Sequence, residues 1–183
     1  MPSRSWLPSV ICRGRLEAIV LRVVGYETVG SVGYIKQMTD TAASLGITHR
    51  VLVAPPVCRS ELLEICQEAD VGLALLPTPM GPMDSYAGAS NKVFDYLCCG
   101  IPVLIPDHLE WNFLRDAGVA LACEPSTPES IAASILWFYN HDQERRSMGQ
   151  RGRDKILEDW NYETQFEPVF RTLGGCCGAS GKT

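Results

Sequence analysis

Short apolar runs alternate with helix-favouring stretches along most of this chain, and that alternation limits the fold more than any other feature. Residues 16–24, 50–54, 71–76, 102–105 and 119–123 read as short, nearly continuous apolar strands. Between and after them, helical spacing marks 33–45, with Ile35, Met38, Ala42 and Leu45 on one face, then 60–69, 91–99, 108–117, 128–139, 142–159 and 162–173. Local signals support the boundaries: Gly46 and Gly100 stop helices, Ser60 caps the second, and Thr127 caps the helix that has Pro128 at its first position. Strands that are apolar on both faces, separated by helices, imply a mainly parallel sheet of about five strands with helices on both faces. No internal repeat and no linker divides the chain.

The 183 residues suffice for one domain with a substantial core. Sixteen Lys and Arg against 21 Asp and Glu give a net charge of -5. That balance argues against nucleic-acid binding, which needs a basic face. No stretch approaches the roughly 18 apolar residues of a transmembrane segment, and the broken apolar run near the N-terminus is not a signal peptide. A cytoplasmic location follows, with peripheral association at the membrane left open. The eight Cys form no CxxC pair, and no His stands at finger spacing, so no metal site is expected. They read as reduced thiols packed in the core. The Cys98–Cys99 pair just before Gly100 reads as packing rather than redox chemistry. The tail ending Gly181-Lys182-Thr183 fails as a phosphate loop, because Cys176 stands where that pattern requires glycine and no helix can follow.

Parallel α/β sheets bind ligands outside the carboxyl ends of their strands. Three junctions qualify here: Gly25, Tyr26 and Glu27 after the first strand; residues 55–60, including Val57, after the second; and the long loop 77–89 leading into Ser90, Asn91 and Lys92. The third is the most informative. Small residues such as Gly88 and Ala89 let backbone amides approach a ligand, and the following helix points its positive end at the loop. Lys92, a cation in the first helical turn, suits a bound phosphate, and Asp95 three residues on offers a carboxylate to a ribose diol. The residues alone leave a plainer alternative standing, in which Ser90 caps the helix and Lys92 and Asp95 form a solvated pair.

The segment Ser90-Asn91-Lys92-Val93-Phe94-Asp95-Tyr96-Leu97-Cys98-Cys99-Gly100-Ile101-Pro102-Val103-Leu104 resembles the donor-site signature of retaining glycosyltransferases of the two-Rossmann-domain (GT-B) architecture, family-four type. Other pieces stand in matching order: Leu45-Gly46-Ile47 with His49-Arg50-Val51, Glu61-Leu62 followed by Ala69-Asp70-Val71-Gly72, the Arg145 to Arg153 helix with its Met148-Gly149, and Trp160-Asn161-Tyr162-Glu163. The resemblance covers roughly 16–173. It implies a Rossmann-like, carboxyl-terminal donor-binding domain at 16–173, flanked by an irregular segment at 1–15 and a disordered tail at 174–183.

The implied activity is transfer of a hexose-like sugar from a UDP- or GDP-linked donor to an acceptor hydroxyl with retention, without a further cofactor. Cell-envelope polysaccharide biosynthesis is a typical setting. By the same resemblance, Gly25, Tyr26, Glu27 and Val57 border the nucleotide. Gly88, Ala89, Ser90 and Asn91 hold the diphosphate and sugar, Lys92 stabilises the diphosphate, and Asp95 binds the ribose. Two departures stand out. Ala87 occupies the position of the family's first acid, and Asp95 is one methylene shorter than the usual Glu. The resemblance also implies a missing opening strand–helix unit and an acceptor-binding domain supplied by a separate domain or chain. The alternative is an inactive remnant that binds a nucleotide, a nucleotide-sugar or a protein partner. A nucleotide-sugar epimerase fits the signature less well. His49 reads as structural, and His108 lies after a strand, facing solvent or the cleft.

Overall fold

The computed structural model describes residues 9–11, 19–75 and 90–177. One six-stranded sheet organises them. Its strands are β1 (Ser9–Ile11), β2 (Leu21–Val24), β3 (Val51–Ala54), β4 (Gly72–Leu73), β5 (Val103–Pro106) and β6 (Ala120–Cys123), in the spatial order β3-β2-β1-β4-β5-β6. The five strands expected from the alternation are all present. β2 pairs with β3, β4 with β5 and β5 with β6 in parallel, while β1 runs antiparallel to both β2 and β4, so the five share one direction. β1 was not expected: it lies within residues 1–15, read from the sequence as irregular, and it occupies the centre of the sheet. The spatial order is that of a doubly wound dinucleotide-type fold, in which the first strand takes this central place.

The helices are α1 (Tyr34–Ser44), α2 (Arg59–Gln67), α3 (Asn91–Cys98), α4 (Asn112–Asp116), α5 (Pro128–Asn140), α6 (Asp142–Glu158) and α7 (Tyr162–Cys177). The segment expected as one helix over 108–117 is instead a 3-10 turn, Leu109–Trp111, followed by the short α4. His108 caps that turn, its Nδ1 accepting from the Glu110 N–H at 3.3 Å, so its ring serves local structure. His49 lies exposed in another 3-10 turn, Thr48–Arg50. At the second helix, Cys58 rather than Ser60 holds the N-cap position. The last helix continues past the expected end at Leu173 to Cys177, so residues 174–177 of the expected tail are helical. Residues 178–183 lie outside the described residues.

The period-2 alternation of strand residues sends side chains to two cores, one on each face of the sheet. Val103, Ile105 and Ala120 face Cys66, Val93, Tyr96, Leu97, Trp111 and Leu114 on the α2–α3–α4 side. Leu104, Val23, Val71 and Leu73 face Phe138 and Met148 on the other, with Met38 and Ile131 packed at its margin. Each fully buried aliphatic side chain contributes about 1.5–3 kcal/mol of transfer free energy, so both faces must be covered.

The glycines of α6 explain one of the sequence motifs. A Cβ on Gly149 would sit 2.0 Å from the Gly100 carbonyl oxygen, and one on Gly152 would sit 2.5 Å from the Leu97 side chain. These glycines let α6 press against α3 and the turn after it. Arg145 ties the start of α6 to the loop before β4 by pairing with both Asp70 and Asp142. Arg151 anchors the middle of α6 by donating to the Gly118 carbonyl at 2.8 and 3.0 Å.

Candidate functional site

The first two sequence-predicted junctions follow the carboxyl ends of β2 and β3, which are parallel neighbours in the sheet, while of the third only Ser90 onward lies within the described residues. β2 ends at Val24, and the Gly25 N–H donates to the Ala54 carbonyl at 3.2 Å, which brings the exits of β2 and β3 together. Tyr26 is 71% exposed. Glu27 caps the N-terminus of α1. One of its carboxylate oxygens accepts from the Gly33 N–H at 2.9 Å and the other from the Ile35 N–H at 2.6 Å. Its negative charge there complements the helix dipole. Val57, half-buried, lies in the loop from β3 to α2. Gly88 and Ala89 lie outside the described residues, as does the rest of loop 76–89.

Ser90 occupies the N-cap position of α3 and is buried at 7% exposure, but its side chain makes no capping hydrogen bond. The plainer reading of Ser90 as an ordinary side-chain cap therefore has no hydrogen bond to support it. Asn91 is exposed, and Lys92 is half-buried in the first turn. Burial lowers the Lys92 ammonium pKa from the ordinary 10.5, because removal from water disfavours its charge. A half-buried cation at the positive end of a helix suits a bound anion, whose charge favours the ammonium form.

Asp95 is not a solvated partner on the helix surface. It is buried at 8% exposure, and Arg59 grips it from α2 with a two-pronged contact. Nη2 donates to Oδ1 at 2.7 Å and Nη1 to Oδ2 at 3.2 Å. The Asp95 carboxylate raises the Arg59 pKa still further, through these hydrogen bonds first and through charge second.

Arg59 is the site residue that the motifs did not point to. A signal was present nonetheless: Arg59 is the first residue of α2, directly after the loop holding Val57, and a cation there opposes the helix dipole just as Lys92 does on α3.

The cysteines divide more evenly than a core reading allows. Among the five described, Cys66 and Cys123 are buried, Cys99 is half-buried, and Cys58 and Cys98 are exposed. Burial pushes the Cys123 thiol up to about 11. Cys58 is shifted down, mainly by a hydrogen bond with the Ser60 hydroxyl at 3.1 Å. No group of three or more potential metal ligands occurs among the described residues.

A family model described as glycosyl transferase-like matches residues 8–170, nearly the whole chain. The chain belongs to the glycosyl transferase-like family. No curated protein sequence matches it.

Solved structures share the fold of this glycosyl transferase-like chain. HepE of Anabaena in complex with UDP and glucose superposes with a TM-score of 0.66 at 17% identity, over 84% of this chain and 40% of its own. WaaG, a glycosyltransferase involved in lipopolysaccharide biosynthesis, gives 0.60 at 19% identity, over 83% and 37%. Sucrose-phosphate synthase of Thermosynechococcus elongatus gives 0.63 at 16%, over 85% and 38%. The chain thus spans about two fifths of the length of the structures it resembles. The Rossmann-like fold expected from the sequence is the one found. No helix among the described residues is long and apolar enough to cross a membrane.

Proposed function

We propose that this chain is the donor-binding part of a retaining glycosyltransferase that uses a UDP- or GDP-linked sugar. The observation that carries the reading is the buried carboxylate of Asp95 on α3, one turn after the half-buried Lys92, at the carboxyl edge of the sheet of a glycosyl transferase-like chain. The ribose diol of the donor bonds to Asp95, and the diphosphate lies at the N-terminus of α3 over the amides near Ser90 and Asn91. Gly25, Tyr26 and Val57 border the base. Glu27 belongs to this border through its hold on α1. HepE, whose fold is similar, is described with UDP and with UDP-glucose bound, which supports a nucleotide-sugar ligand here.

Catalysis in this scheme is electrostatic. As the bond between the sugar and the diphosphate breaks, negative charge grows on the departing phosphate. The helix amides and the Lys92 ammonium stabilise that charge more than they stabilise the ground state. The acceptor, whose hydroxyl receives the sugar, is bound by a separate domain or chain. Neither a metal nor a further cofactor enters the scheme, and assembly of a cell-envelope polysaccharide, at the cytoplasmic side of a membrane, is a fitting setting.

Calorimetric titration with UDP and GDP tests the reading. Binding of one of them is expected, with a marked loss in Lys92→Ala and Asp95→Asn. Absence of heat with both, on folded protein, would sink the donor site, and an unchanged Lys92→Ala would remove Lys92 from it. Release of UDP from UDP-glucose, assayed with and without candidate acceptors, tests the transfer step.

A further inference from the structure

The contact between Arg59 and Asp95 is asymmetric in a way that bears on ligand entry. Asp95 retains 12% of its side-chain exposure and is fixed on α3, whereas the Arg59 side chain is 68% exposed. Both terminal guanidinium nitrogens engage, one on each carboxylate oxygen. An end-on fork of this kind uses the face of the carboxylate that points away from its own side chain. A vicinal diol that donates one hydrogen bond to each oxygen needs that same face. Because Asp95 is one methylene shorter than Glu, its carboxylate stays close to α3 and has little freedom to offer another. The guanidinium can return to water at small cost, since it is already mostly solvated. The carboxylate cannot lose its partner so easily, because an unpaired buried charge is strongly disfavoured.

We propose that Arg59 is a latch on the ribose site: it satisfies the Asp95 carboxylate until a ribose diol takes its place, and then swings into solvent. The inference rests on the donor-site reading above and deepens it. Arg59 is then a specificity-determining residue. A nucleotide must bring two adjacent hydroxyls to replace the two hydrogen bonds that the fork gives up, so ligands without them leave the latch closed. Opening the latch subtracts from the affinity of every diol-bearing nucleotide, and removing Arg59 restores what it subtracts.

The experiment is calorimetric titration of the full chain and its Arg59→Ala and Arg59→Lys variants. The probes are UDP, GDP and their 2′,3′-dideoxy counterparts. Exchanging the fork for the diol keeps Asp95 hydrogen-bonded and returns an already 68% exposed Arg59 to water, a difference of up to about 1 kcal/mol, which corresponds to about a fivefold change in affinity. The nucleotide that binds the wild type is expected to bind Arg59→Ala about fivefold more tightly, with Arg59→Lys in between because lysine cannot form the fork. The dideoxy counterpart, which does not compete for Asp95, is expected to bind wild type and variants alike. Weaker or unchanged binding of the ribonucleotide to Arg59→Ala overturns the latch. Equal tightening of the ribonucleotide and its dideoxy counterpart also overturns it, because the gain would then not pass through the diol. Failure of the wild type to bind either ribonucleotide overturns the donor-site reading and the latch together. Wild-type binding with the wrong response to Arg59→Ala overturns the latch alone. Circular dichroism of each variant establishes that it is folded.

Discussion

At the residue scale, Lys92 is where burial and ligand charge oppose each other most directly. Its ammonium pKa lies below the ordinary 10.5 because burial disfavours the charge. The sign for stability follows: the folded state binds this proton more weakly than the unfolded state, so Lys92 detracts from stability at neutral pH. That loss is recovered as pH rises from the lowered value toward 10.5. For a diphosphate the sign reverses, since the anion favours the charged form and raises the pKa on binding. Nucleotide affinity is therefore expected to fall as pH rises through the lowered Lys92 value, with a proton taken up on binding in that range. Calorimetry in buffers of different ionisation enthalpy measures the proton uptake, and Lys92→Met should abolish it. Lys92 was legible because a cation in a first helical turn breaks a local rule. Arg59 breaks the same rule, yet its role depends on Asp95, 36 residues away, and no local pattern announces that pairing. Glu27 shows the converse: a polar residue at a promising junction is engaged by the first amides of a nearby helix.

At the element scale, the position of α3 decides where Asp95 and Lys92 stand, and α6 holds α3 from behind. Gly149 and Gly152 permit that approach. Gly149→Ala would drive a methyl group against the backbone carbonyl of Gly100, which cannot rotate away. We expect a loss of about 2 kcal/mol, more than the gain in helix propensity offsets, and a melting temperature lower by about 4–8 °C. Thermal unfolding followed by circular dichroism measures it. If α6 sets the position of α3, nucleotide affinity should fall as well. The parallel strands and the long helices were readable from periodicity because each buries a face of its own. The 3-10 turn Leu109–Trp111 was not, because an apolar pattern fits a helix or a tighter turn equally well over so few residues.

At the scale of the whole molecule, a ligand that binds only the folded chain stabilises all of it. UDP or GDP at a hundred times its dissociation constant adds about 2.7 kcal/mol, which for a chain of this length raises the melting temperature by about 5–10 °C. A thermal shift series against nucleotide concentration measures this, and Asp95→Asn should flatten it.

The sheet's outline was legible in the alternation of strands and helices, but its centre was not. β1 has three residues, and its place depends on pairing with two strands further along the chain: Ser9, Val10 and Ile11 with Val24, Val23 and Arg22, and Val10 and Ile11 with Leu73 and Gly72. Nothing in so short a run specifies direction. This strand is the seam between a two-stranded ribbon, β3-β2, and a three-stranded ribbon, β4-β5-β6. Backbone hydrogen bonds of the sheet cross the seam only through β1, while the packing of Val23 with Val71 and Leu73 crosses it through side chains. Fluctuations that release β1 would therefore unzip the ladder into two ribbons without dissolving the apolar core. Amide hydrogens on the side facing β1, at Val24 and Leu73, would then exchange with solvent in a shared opening event, of lower free energy than global unfolding.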